Sequence, residues 1–322
     1  MSEVSTIRQR FEKGEPYYGM GDYVPKQELD SRVGDVIAAS LAVHSALYDA
    51  VEDGSAVVFG DEHSGEEDKF VSLPNKYNEP CYFRWDPQHP ATDVGLRGLN
   101  PEFKNSANPT TIIHADNHVL KDFIEMGAPP VLLDALDSVA KLNKYILSQI
   151  VRPMLTKIAR EYGKRPEQYL PIYIPTDGRI RTLTRSILYH LNVEDGVSPV
   201  GTDGKTLLIK EHADQSAFTV DTAQSGPGLQ YFVNGHWEDA SQEIACMRGT
   251  ADDNIHELMR PTLHRVVDAP QETPLATELK KHGIKRIALP TFVSANGGGT
   301  RIVQPSSKET HPDIQKVFCN AA

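Results

Sequence analysis

The sequence twice spells His-Ala-Asp, a histidine two positions before an aspartate, in "TIIHADNHVL" at His114–Asp116 and in "IKEHADQSAF" at His212–Asp214. An imidazole and a carboxylate at that spacing can share a metal ion where the backbone is extended, because alternate residues of a strand point to one face. The chain holds 12 histidines. About one such pair is then expected by accident, so one of the two is expected to be incidental.

His114 and His118 stand four apart, like the zinc pair of HExxH, but Ala115 fills the place of the glutamate that motif needs. The surrounding text reads as a loop turning into "NHVLKDFIEMG", with Asp116 or Asn117 as N-cap and Gly127 closing a short helix. Helix capping is the simpler reading there. His212 and Asp214 instead follow the strand-like run "TLLIK", and "PTLHRVV" supplies His264 in a second strand-like run. Two imidazoles and one carboxylate, with positions left open for substrate and dioxygen, make the site of non-haem Fe(II) oxygenases.

The elements that must position these residues fall into two halves. "PKQELDSRVGDVIAASLAVHSALYDAVEDG" repeats apolar residues at helical spacing (Val33, Ile37, Leu41, Leu47) and stops at Gly54. "SAVVFGDEHSGEEDKFVSLP" reads as a short strand and a charged loop, and 77–108 as an irregular, Pro-, Asn- and Gly-rich stretch that suits the rim of a site. The longest helical pattern runs from Pro130 to Gly163, with Pro153 expected to kink or split it. Thereafter come short β-branched and aromatic runs bounded by Gly, Asn, Asp and Pro, and "FVNGHW" carries the Asn-Gly pair of a type I′ hairpin. One domain is expected: a β sandwich or barrel clasped by N-terminal helices.

Composition narrows the function. The chain has 322 residues and a formal charge of −11, so it lacks the basic balance that nucleic-acid backbones require, and its charge would be repelled by anionic membranes. Cys81, Cys246 and Cys319 lie far apart without CxxC spacing and read as reduced thiols. With no apolar leader and no run long enough to span a bilayer, a cytoplasmic protein is expected.

From about Arg181 to Ala295 the sequence resembles the isopenicillin N synthase-like family of Fe(II)/2-oxoglutarate-dependent dioxygenases. The pieces stand in that family's order. "LTRSILYHLN" resembles its Leu-Arg-x-x-x-Tyr-Pro strand, "EHADQSAFTV" its H-x-D strand including Thr219, and "GPGLQYFVNGHWEDA" its Gly-Leu-Gln hairpin. "TLHRVV" and "RIALPTFVSA" resemble the segments carrying its second histidine and its co-substrate arginine. The resemblance implies a mainly β fold with α, a double-stranded β-helix (jelly roll) core with N-terminal and central helices packed against it. It would be one domain over 1–322, with a mainly helical part at 1–165, the catalytic core at 166–300 and a C-terminal tail at 301–322. It implies His212, Asp214 and His264 as iron ligands, with no catalytic residue beyond them, and Arg286 as the clamp on the distal carboxylate of 2-oxoglutarate. Tyr189 would line the same pocket. Fe(II), 2-oxoglutarate as co-substrate and dioxygen would hydroxylate or desaturate a small organic molecule, in the manner of specialised metabolism.

Three departures stand out. Ala288 replaces the serine of Arg-x-Ser, His190 replaces the proline after Tyr189, and "PQETPLATELKKHGIK" is inserted between His264 and Arg286. The first leaves open an Fe(II) oxidase of the same fold that does not use 2-oxoglutarate, of isopenicillin N synthase-like or ethylene-forming type. A non-catalytic jelly-roll binding protein is a further alternative.

Other candidates have plainer readings. Arg301 lies in a glycine loop, a poor setting for a fixed clamp, and Lys285 reads as a surface residue. Phe232 and Trp237 read as cross-strand packing in the hairpin core, and Cys246 as a small buried residue. His63, His89, His236, His256, His282 and His311 read as solvated. Tyr82, Arg84, Trp85 and Arg97 stand in the irregular rim, where they could touch substrate.

Overall fold

The structure is a computed structural model. It describes residues 6–20, 24–52, 58–60, 69–71, 73–74, 80–81, 94–97, 110–115, 117–125, 127–174, 182–191, 200–214, 216–241, 243–250, 259–270 and 272–294. Helices α1 (Ile7–Lys13) and α2 (Lys26–Glu52) come first, followed by short strands β1 (Val58–Gly60), β2 (Lys69–Val71), β3 (Leu73–Pro74), β4 (Pro80–Cys81), β5 (Val94–Arg97) and β6 (Thr110–Ala115). Helices α3 (Asn117–Glu125), α4 (Pro130–Ile146), α5 (Arg152–Glu161) and α6 (Pro166–Tyr173) follow. The remainder is β7 (Thr182–His190), β8 (Leu207–His212), β9 (Phe218–Gln224), β10 (Leu229–Val233), β11 (His236–Asp239), β12 (Ala245–Arg248), β13 (His264–Val267), α7 (Pro274–Lys281) and β14 (Ile284–Val293).

Two antiparallel sheets carry the second half. One runs β12-β9-β14-β7-β6-β5 and the other β11-β10-β13-β8. From β7 onward the chain passes back and forth between them: β7, β9, β12 and β14 lie in the first, and β8, β10, β11 and β13 in the second. This mainly-sheet arrangement with helices is consistent with a jelly roll. Alternation along β7 separates two packing surfaces. Ser186 and Thr184 hydrogen-bond to Ser40 of α2 and Asn143 of α4, and Leu188 joins the core beneath those helices. Ile187 and Tyr189 point the other way, into a core shared with Leu229 and Tyr231 of β10, Met247 of β12, Val266 of β13 and Ala288 of β14. Among the described residues no helix is long and apolar enough to cross a membrane.

Several local expectations meet the structure directly. Asn234 and Gly235 take φ of 51° and 87° between β10 and β11, the left-handed pair a type I′ turn demands. Gly127, at φ 71°, ends α3, with its N–H bonded to the Ile124 carbonyl. Others need correction. His114 and Ala115, read as a loop leading into α3, belong to strand β6, which pairs with β7 through its whole length. The long helical pattern is divided ahead of Pro153 as expected, but by a π-turn and not a break: α4 stops at Ile146, Leu147–Val151 winds as the π-turn with the Arg152 N–H bonded back to Leu147, and Pro153 stands in the first turn of α5. The wider turn lets the helix continue around a residue that lacks an N–H. The apparent insertion before Arg286 folds as α7, capped by Thr273, whose hydroxyl accepts from the Ala276 N–H at 3.0 Å. Phe232 does pair with Trp237, ring centroids 5.2 Å apart, but on the solvent face, with Phe232 38% exposed. Asp116, Tyr82, Arg84, Trp85, Arg301, His63, His89, His256 and His311 lie outside the described residues.

His190 is buried at the end of β7 against His44 of α2, their rings 4.8 Å apart. Burial holds both rings neutral, pulling His44 down to about 4 and His190 down to about 3; the backbone of His282 hydrogen-bonds His44 and the charge on His282 opposes its protonation. The unfolded chain takes up these protons below about pH 6.5, so stability is full above that pH and falls as pH drops toward the folded-state values, by up to about 1.4 kcal/mol per pH unit per ring. With His212 depressed in the same way, His190→Phe should therefore flatten the fall in urea-unfolding free energy between about pH 7 and pH 5 by roughly a third. An unchanged slope would show that these rings do not govern acid stability.

Candidate metal centre

β8 ends on His212 and β13 begins on His264, and the two stand opposite each other in register. Their ring centroids are 4.2 Å apart. Asp214 lies two residues beyond β8, and its Oδ1 is 3.7 Å from the Nε2 of each histidine. One donor atom from each of the three residues falls within 4.8 Å of the others, and among the described residues this is the one group of its kind. Two cis ligands at about 2.1 Å from an ion sit ~3 Å apart, so the 3.7 Å contacts of Asp214 with the two histidines lie within an ångström of ligand spacing.

The atoms behind the donors match this use. His212 Nδ1 lies 2.9 Å from the Lys210 carbonyl and His264 Nδ1 3.1 Å from the Thr262 carbonyl. Each carbonyl draws the ring proton to Nδ1 and leaves the Nε2 lone pair facing the site. Burial, then the neighbouring His264, pulls His212 down to about 4, which keeps it in the neutral form that a metal takes. Burial disfavours the charge on Asp214, but the adjoining imidazoles and the Thr219 hydroxyl outweigh it and hold the carboxyl below its ordinary range. Thr219 on β9 donates to Asp214 Oδ2 at 2.6 Å and so directs Oδ1 at the histidines. Thr219→Val removes that bond at nearly constant shape and should weaken divalent-metal binding about 10- to 100-fold. Metal titration of the purified variant checks this, and an unchanged affinity would remove Thr219 from the site.

Asp214 is also tethered by its backbone. Its carbonyl accepts from both the N–H and the hydroxyl of Thr250, at 2.7 and 3.1 Å, and Gly249 N–H donates to the Ala217 carbonyl at 2.9 Å. These contacts join the end of β12 to the turn between β8 and β9. The roles of Gly249 and Thr250 escaped sequence reading, since neither forms a motif with the ligands.

Arg286 and Tyr189 are direct partners on β14 and β7. Arg286 is 1% exposed, with its guanidinium carbon 5.3 Å from the centre of the Tyr189 ring. Burial pushes the Tyr189 phenol up, and the neighbouring arginine partly offsets this. Gly228 lies alongside at φ 126°, where a Cβ would fall 2.7 Å from the Val267 carbonyl and at ordinary contact distance, 3.7 Å, from Arg286 Nε. Ala288 is buried in the same inter-sheet core. Tyr231, opposite His264 in register with its ring centroid 6.5 Å away, and buried Asp221 on β9 add polar groups that sequence reading did not single out. Lys285 instead bonds Asp268, and exposed His236 pairs with Glu238 at 2.8 Å. Cys246 is buried and its thiol is pushed up by burial. His114 lies in β6 opposite Arg185 and is not part of the three-residue group.

No protein-family model and no curated protein matches the chain. Solved structures do. One is a full-length Neurospora crassa protein in complex with alpha-KG and 5-formyluracil, at 15% identity and TM-score 0.43 over 67% of this chain and 64% of that one. The chain thus spans less than two thirds of that protein's length. Another is the dioxygenase for auxin oxidation of rice, at 14% identity and TM-score 0.46 over 90% and 80% of the two chains. A third is the Arabidopsis thaliana dioxygenase for auxin oxidation 1 with 2-oxoglutarate, at 15% identity and TM-score 0.41 over 66% and 73%. In this chain, His212, Asp214 and His264 form a donor set that could hold a metal ion.

Proposed function

We propose that the protein is a non-haem Fe(II)- and 2-oxoglutarate-dependent oxygenase that hydroxylates or desaturates a small organic molecule. The observation that carries this is the convergence of His212, Asp214 and His264, each with its outer atom already engaged and its inner atom free to bind. The alternation of β7–β14 between the two sheets supports reading the core as a double-stranded β-helix. The three ligands would hold Fe(II) by one face and leave the other face open.

Bound iron would supply the redox centre at which dioxygen takes two electrons from 2-oxoglutarate, which leaves as succinate and carbon dioxide, and two from the substrate, which gains a hydroxyl or loses two hydrogens with water as the second product. The residues of the chain do the rest. Arg286, rigidly buried and planar, pairs with the distal carboxylate of the co-substrate through two parallel hydrogen bonds. Tyr189 borders the same space and fixes the guanidinium plane. The apolar side chains of Ile187, Val266 and Met247 exclude water from the inter-sheet interior.

The test is anaerobic loading with Fe(II), addition of 2-oxoglutarate, and measurement of succinate on admitting air. Binding of 2-oxoglutarate and formation of succinate are expected. Ala288, which brings no hydroxyl to the neighbourhood of Arg286, favours one second reading, the Fe(II) oxidase that does without 2-oxoglutarate. Iron binding with neither 2-oxoglutarate binding nor succinate would select that reading. No iron binding at all would leave a non-catalytic binding protein.

A further inference from the structure

The interior between the sheets holds a second arginine, Arg185, and we propose that it anchors a carboxylate on the primary substrate, making the substrate a small organic acid. The inference rests on the proposed assignment of Arg286 to the co-substrate.

Position is the first argument. On β7, Thr184, Ser186 and Leu188 face the helices, whereas Ile187 and Tyr189 face the inter-sheet core. Alternation therefore sets Arg185 on the inner face with the latter pair. Its guanidinium carbon lies 4.9 Å from the centre of the Phe292 ring on β14. Phe292 is opposite Thr219 of β9, the residue that donates to Asp214. Arg185 is thus at the metal end of the interior, and its positive charge acts on both His212 and Asp214.

The second argument is the separation of the two arginines. Arg286 pairs with Tyr189, four residues along β7 from Arg185, which is about 13 Å of extended strand. A five-carbon diacid held by the metal at one end and by Arg286 at the other runs along the interior away from Arg185. Arg185 then lies on the metal's other side, displaced along β7 from the co-substrate. Exposure agrees with that division. Arg286 is 1% exposed and closed to solvent, whereas Arg185 is half-buried and can meet an incoming ligand.

Chemistry supplies the class of ligand. A guanidinium stacked on an aromatic ring keeps its plane, and its paired N–H groups fit the two oxygens of a carboxylate better than a single carbonyl or an amide. A substrate anchored by its carboxylate at Arg185 presents carbon some atoms away to the metal centre. A specific C–H bond can be selected in that way without a closely shaped apolar pocket.

The experiment uses the full chain loaded with Mn(II), which binds such donor sets without turnover. Titration calorimetry is run with acetate, butyrate, hexanoate, benzoate, phenylacetate and cinnamate, each beside its primary amide, and separately with 2-oxoglutarate. The wild-type protein is expected to bind at least one acid about tenfold or more tightly than its amide. Arg185→Gln should bring acid and amide to within about twofold while leaving 2-oxoglutarate affinity within about twofold, and Arg185→Lys should keep part of the preference. Arg286→Gln should do the reverse, losing 2-oxoglutarate and keeping the acid preference. Thermal unfolding of each variant identifies any that fail to fold, and Arg185→Lys then stands in for Arg185→Gln. No acid preference in the wild type, or an Arg185 variant that loses 2-oxoglutarate as Arg286→Gln does, overturns the assignment. If the wild type binds acids but not 2-oxoglutarate, the co-substrate reading fails and the arginine at the metal end still stands as an acid anchor.

Discussion

His264→Ala is expected to yield a folded protein that carries no iron and forms no product. The side chain of His264 is 7% exposed and supplies one of three donor atoms. Its loss leaves His212 and Asp214, a pair adjacent in sequence with too few ligands to hold a weakly bound divalent ion. Removing an outer-shell partner of a metal ligand typically lowers affinity or activity about 10- to 100-fold, so removing a ligand should cost more than ~100-fold. The stability cost should be small, about 1 kcal/mol for the lost hydrogen bond to the Thr262 carbonyl. Iron stoichiometry after anaerobic reconstitution, read beside the thermal unfolding midpoint, separates the two effects. His114→Ala, in the other HAD, should leave iron content unchanged. If the two variants kept equal iron, the assignment of ligands would fail.

The second large effect is expected from a residue that binds nothing. A Cβ on Gly249 would fall 1.8 Å from the Ser216 carbonyl oxygen and 2.8 Å from that of Asp214. Both obstacles are backbone, so no side chain can swing aside. In Gly249→Ala either the end of β12 or the turn bearing Asp214 has to move, and the hydrogen bonds from Gly249 and Thr250 that tie them together stretch or break. Overpacking of this kind costs about 1–3 kcal/mol or more. The displaced carboxylate should lower iron affinity by at least ~10-fold even though all three ligands are present. Gly34→Ala is the matched control. Gly34 lies in α2 with nothing within 4 Å of an added Cβ, and alanine there should stabilise by up to about 1 kcal/mol without touching iron. Urea unfolding and iron titration of both variants check the pair. Wild-type iron affinity in Gly249→Ala would mean that the turn is not held as described.

What the sequence alone determined was local or repetitive. The type I′ turn at Asn234–Gly235 follows from two residues that accept positive φ. The end of α3 at Gly127 follows from one. His212 and Asp214 could be read as one face because a two-residue period is written within three letters, and His264 joined them through the resemblance carried by "TLHRVV". The sequence misjudged His114 and Ala115 as loop because their strand character is supplied by pairing with β7, about seventy residues away. The π-turn ahead of Pro153 was equally hidden, since it is an adjustment of the whole helix to one missing donor. Only the tertiary structure put His264 opposite His212, backed Asp214 with Thr219 and Thr250, and separated Arg185 from Arg286 along the interior. Each of these depends on strand register, which is set by long-range pairing and by the face each strand buries. The two HAD stretches make the difference concrete: the letters are the same, and the strand that meets each one decides which of them can hold a metal.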